Sequence, residues 1–88
     1  MTPEQSRAAR GWLGWSQAEL ARRASVSVGT IKSFEARQKT PLTNNLAAMR
    51  RAIEAAGIRL VFDKDGAAAG ILRHGADADL PTGVPRRP

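Results

Sequence analysis

The sequence predicts a mainly α domain of four to five short helices, closed by a short C-terminal β-hairpin. Three observations point there. Apolar residues recur at helical spacing through residue 57. Hydroxyl residues stand at cap positions ahead of four of those runs, at Thr2, Ser16, Ser27 and Thr43. Beyond Gly57 the period changes to two, with Ile58, Leu60 and Phe62 alternating with Arg59 and Val61.

The first helix opens at Thr2, with Pro3 where a missing N–H costs nothing and Gln5 at the capping-box position. Ala8, Ala9, Trp12 and Leu13 supply its expected core face, with Arg7 and Arg10 beside it. Trp12 and Trp15 are expected as core and lid residues rather than as platforms for stacked bases. Gly14 ends the segment, and Ser16 caps a second helix in which Glu19 can complete a capping box. Leu20, Ala21 and Ala24 form a narrow apolar stripe, then Ser25-Val26-Ser27 breaks the pattern.

Ser27 opens a third helix over 28–36. At about 100° per residue, Ile31 and Phe34 point one way, while Val28, Gly29, Lys32, Ser33 and Ala36 spread over the other side with Thr30 and Arg37 at its edge. That second face is small and carries short donors and a methyl-bearing Val. It suits the floor of a DNA major groove, and it equally suits an ordinary solvated face of a small helical domain. The loop 37–41 is basic and ends at Pro41. Thr43 is expected to cap a longer helix over 44–56, with Leu46, Met49, Ala52, Ile53 and Ala56 inward and Gly57 as C-cap. Lys39, Thr40, Asn44 and Asn45 are groups of the kind that hold phosphates at a helix N-terminus, although the two Asn residues equally serve to continue the cap.

Eighty-eight residues make one small domain with a modest core. Fourteen Lys/Arg against eight Asp/Glu give a net charge of +6, which favours a polyanionic partner. Nine of those cations and four of the acids lie in residues 1–57, so +5 of the charge sits there. With no Cys, disulfides, thiolate catalysis and zinc-finger sites are excluded. No run is apolar enough for a membrane span or signal peptide, so a cytoplasmic protein is expected.

Arg10, Gly14, the run SQAELA at 16–21, Val26-Ser27, Thr30-Ile31, Glu35 and Pro41 stand in the order and spacing of a known pattern. Over residues 3–57 the chain resembles the Cro-like, phage-repressor-type helix-turn-helix proteins (the XRE family). The resemblance implies a four- to five-helix repressor-like fold and a DNA-binding role for residues 1–57. It implies that Gln17 anchors the phosphate backbone; Ser16, Arg37, Lys39, Thr40, Asn44 and Asn45 are the further phosphate candidates. It assigns base or adjacent phosphate contacts to Val28, Gly29, Thr30, Lys32 and Ser33. Arg10 and Glu35 match a structural ion pair of related repressors. Independently, Glu35 is the one acid on the third helix and sits at the edge of its inward face, where an unpaired carboxylate would be costly.

Two positions depart from the family pattern. Ser25 and Arg37 stand where Gly is usual, at sites that commonly take left-handed backbone angles costing a non-glycine residue roughly 1 kcal/mol. A phosphate contact from Arg37 would offset that cost. Gly29 lowers helix propensity but lets backbone approach DNA, so specificity is expected to lean partly on DNA shape.

Residues 58–73, with a turn at Asp63-Lys64-Asp65-Gly66, are expected to form a hairpin that needs either the helical core or a second copy to pack on. Dimerisation through it is the preferred reading, since a twofold protein matches a palindromic operator with half-sites about 34 Å apart. Residues 74–88, rich in Gly, Pro and Asp, are expected to be a disordered tail in which Arg86-Arg87 adds a loose backbone contact or nothing.

No chemistry emerges. Asp63-x-Asp65-Gly66 lacks the later residues of a calcium loop, His74 stands alone, and no phosphate-binding glycine loop or nucleophile motif is present. No enzyme activity, metal or cofactor is expected. Two function classes remain. One is a sequence-specific DNA-binding transcriptional regulator, a repressor or controller acting as a homodimer on double-stranded DNA. The other is an antitoxin or other interaction module whose partner is a protein, toxin or antiactivator-like.

Overall fold

The computed structural model describes residues 1–73, and the tail reading for 74–88 lies outside them. Four helices are followed by two strands: α1 (Pro3–Leu13), α2 (Gln17–Ala24), α3 (Val28–Glu35), α4 (Thr43–Ala55), β1 (Ile58–Phe62) and β2 (Ala68–Arg73).

Local chemistry sets most helix ends. The Thr2 hydroxyl accepts from the Gln5 amide at 3.2 Å, and the Gln5 side chain accepts from the Thr2 amide at 3.0 Å, so the box closes reciprocally. Gly14, at φ +70°, ends α1. The Ser16 hydroxyl accepts from the Glu19 amide at 3.0 Å, but the second half of that expected box gives way: the Glu19 carboxylate turns to Arg22 and Arg23 instead. Ser27 caps α3 by accepting from the Thr30 amide at 3.1 Å.

The fourth start corrects the expectation. Leu42, not Thr43, is the N-cap of α4, and it makes no side-chain cap bond. Thr43 is already helical, and the helix ends at Ala55 with Ala56, not Gly57, as its C-cap; Gly57 follows at φ +96°.

The core joins Leu20, Ala21 and Ala24 of α2, Ile31 and Phe34 of α3, Met49 and Ile53 of α4, and Ala9 of α1. At about 25 cal/mol per Å² this buried apolar surface is the main source of stability in so small a domain. The α1 face differs from its expected one. Gln5, Ser6 and Ala9 are buried and Leu13 is half-buried, while Ala8 is exposed and Trp12 is 63% exposed. Helical spacing alone put the two largest apolar side chains inward. Tertiary hydrogen bonds bury the polar Gln5 and Ser6 there, and Leu13 still packs against the core while Trp12 does not.

The hairpin is antiparallel, with Leu60 opposite Ile71, Val61 opposite Gly70 and a register irregularity between Val61 and Phe62. Ile58 and Leu60 enter the helical core, and β1 packs on α4 while β2 packs on α1. Gln5 completes the junction by donating from Nε2 to the carbonyls of Val61 at 3.0 Å and Gly70 at 3.1 Å. The hairpin therefore has a seat on its own chain. Arg59 and Leu72 pair on its opposite face.

Candidate nucleic-acid interface

Helix α3 carries the base-reading candidates. Ile31 and Phe34 are anchored in the core, which fixes the helix's roll and turns Val28, Gly29 and Lys32 to solvent, with Thr30 and Ser33 half-buried at the flanks. The Ser27 and Thr30 hydroxyls lie 2.9 Å apart, so the Thr30 side chain is held by the cap that starts its helix.

The outer face bears no carboxylate because Glu35 is turned inward and only 4% exposed. Arg10 clamps it from two directions, Nε to Oε2 at 2.9 Å and the terminal nitrogen to Oε1 at 2.6 Å. Ser6 donates to Oε2 at 2.5 Å and Gln17 to Oε1 at 3.1 Å, while Arg7 donates to the Glu35 backbone carbonyl. Burial pushes this carboxyl up, but the bonds from Arg10, Ser6 and Gln17 outweigh burial and hold it below the ordinary carboxylate range. α1, α2 and α3 are thus tied at one ionised group. Arg10 reaches further, donating to the Trp15 carbonyl at 3.1 Å, and Arg23 lies over the Trp15 ring at 4.3 Å.

A shallow concavity of about 410 Å³ opens between α3 and the start of α4. Ser27, Gly29, Thr30 and Ser33 line one side; Lys39, Pro41, Leu42 and Asn45 line the other. Three of the base-reading candidates, Gly29, Thr30 and Ser33, therefore meet two of the phosphate candidates, Lys39 and Asn45, in one hollow. Val28 and Lys32 stand exposed on α3 outside it, Thr40 and Asn44 are exposed nearby in sequence, and Ser16 and Gln17 lie at the start of α2.

Ser25 and Arg37 both adopt left-handed backbone, at φ +57° and +59°. Arg37 is bonded to Glu4 at the start of α1 rather than left open, and that bond holds the Glu4 carboxyl below its ordinary range. Sequence reasoning passed over Leu42, whose signal was an apolar residue between Pro41 and the polar run Thr43-Asn44-Asn45. It also read Gln5 only as a cap, since nothing local marks its second role at the hairpin.

Among the described residues no helix is long and apolar enough to cross a membrane, and no group of three or more His or acidic side chains is placed to hold a metal. Two helices meeting at the turn 25–27, with the second presenting an acid-free outer face, define a helix-turn-helix domain. A family model described as Helix-turn-helix, of the XRE type, matches residues 7–55, more than half of the chain. The chain belongs to that family, a DNA-binding and transcription-regulating domain type that is not enzymatic. No curated protein matches it.

Proposed function

We propose that this DNA-binding protein is a sequence-specific repressor or controller that binds a palindromic operator as a homodimer, with α3 of each copy in a major groove. The observation that carries the reading is the acid-free outer face of α3, kept so by the inward pairing of Glu35 with Arg10. Thr30, Lys32 and Ser33 supply donors to base edges, and Val28 and Gly29 allow close approach. Ser16, Gln17, Lys39, Thr40, Asn44 and Asn45 position the backbone, as the site's layout favours. Gln17 gives one Nε2 hydrogen to Glu35 and keeps the second for a phosphate. Arg37 joins only by leaving Glu4.

Steric exclusion or recruitment of polymerase at the operator is the mechanism. Anisotropy binding to DNA upstream of the gene, against a scrambled duplex at several salt concentrations, tests it. A preference of about a hundredfold or more at physiological salt is expected, and equal binding with the same salt slope on both duplexes would contradict the reading.

The homodimer is proposed to form through the hairpin face that carries Leu72, the side opposite Leu60. Deleting the hairpin would strip Ile58 and Leu60 from the core, so Leu72→Lys is the cleaner probe. Sedimentation of that variant should give the monomer mass, whereas an unchanged dimer would move the interface elsewhere.

A further inference from the structure

Three of the four helices begin with a hydroxyl residue whose side chain caps the first turn: Thr2, Ser16 and Ser27. The fourth begins with Leu42, which makes no cap bond and is 71% exposed. A lone surface leucine is ordinary. This one lines the concavity beside α3, opposite Gly29 and Ser33.

Gly29 adds a second feature to the same hollow. A Cβ built there would meet only the Ser27 Oγ, at 3.9 Å, so the space in front of this glycine is open rather than needed for packing. The hollow therefore has an apolar wall, a gap in the helix surface beside it, and no acidic side chain in its lining. Lys39 at its edge makes it attractive to a polyanion. On the floor of a major groove the apolar group among the base-pair edges is the C5-methyl of thymine.

We propose that Leu42, beside the gap left by Gly29, makes an apolar contact with the C5-methyl of a thymine when α3 lies in the major groove. Leu42 is then a specificity-determining residue contributed by the loop that precedes α4, not by α3 itself. This rests on the reading of α3 as the groove-entering helix. It adds to the donors of α3 a contact that favours A·T pairs at one position in each half-site.

The test begins with selection of a preferred duplex from a random pool by the full-length protein. Each thymine of that duplex is then replaced singly by deoxyuridine, which removes one methyl and leaves Watson–Crick pairing intact. For the unsubstituted protein, one thymine per half-site should show a loss of about fourfold, the factor that burying one such carbon group carries. For Leu42→Ala the same exchange should cost less than about twofold at that thymine and remain unchanged elsewhere, with an unaltered melting temperature showing intact folding. Leu42→Met should retain most of the thymine preference.

If Leu42→Ala weakens thymine and deoxyuridine duplexes equally, the residue makes a sequence-independent contact and the proposal falls while the reading of α3 stands. The proposal falls in the same way if no thymine is sensitive to the exchange. If the pool yields no preferred sequence, the reading of α3 falls and takes the proposal with it.

Discussion

The α1 side of α3 and the α4 side of α3 are built on opposite terms. On the first, the buried Gln5, Ser6 and Glu35 are each tied: Gln5 to the hairpin carbonyls, and Glu35 to Ser6, Arg10 and Gln17, with Arg7 on its backbone carbonyl. No buried side-chain nitrogen or oxygen among the described residues lacks a partner. On the second, Gly29, Lys39, Leu42 and Asn44 stand exposed, and α4 starts without a side-chain cap. Satisfied polar groups at the Glu35 junction hold α3 at a fixed angle, while the other side leaves its groups exposed.

Breaking the tied side should cost most. Glu35→Ala leaves Arg10, whose side chain is 18% exposed, without its counter-charge, and should lower unfolding free energy by about 3 kcal/mol in urea titration. Acid attacks the same junction. Because folding holds Glu35 below the ordinary carboxylate range, the unfolded chain takes up the proton first as pH falls. Its stabilisation is complete above about pH 5 and is lost below, through the folded value. Glu19, drawn to about 2 by bonds from Arg22 and Arg23, acts in the same direction between about pH 4.5 and 2. The urea midpoint should therefore be level from about pH 7 to 5 and fall steadily below, and Glu35→Gln should flatten that fall.

Gln5→Leu comes next. It removes the Nε2 bonds to the Val61 and Gly70 carbonyls and should cost about 1–2 kcal/mol, with faster amide exchange across the hairpin than in α3. If the hairpin amides stay as protected as before, the Gln5 clamp is incidental.

The open side should answer differently. Gly29→Ala has room for its methyl and should raise stability by about 0.5–1 kcal/mol while lowering affinity for the preferred duplex. A parallel gain in both would mean that the gap beside Leu42 has no role in binding. Smallest is Ser25→Gly, which relieves left-handed strain at the turn but frees the unfolded chain, for a net gain of about 0.5 kcal/mol by thermal melting and no change in DNA preference.

What the sequence determined by itself was most of what is set within one helical turn or one alternation, the Thr43 cap and the Glu19 half of the second capping box excepted. Thr2, Ser16 and Ser27 each act on the amide three residues ahead, Gly14 supplies the left-handed angle that ends α1, and Ile31 with Phe34 fixes the inward face of α3. Those interactions are complete before the chain folds back on itself, so residue type and spacing suffice. Glu35 apart, only the tertiary structure decided which polar groups are buried, since that depends on partners distant in the chain. Gln5 finds Gly70, Arg37 finds Glu4, and Trp12 is left in solvent although periodicity had placed it inward. The seat of the hairpin is of the same kind. A two-stranded ribbon is marginal alone, and alternation can say that Ile58 and Leu60 share a face but not which surface buries it.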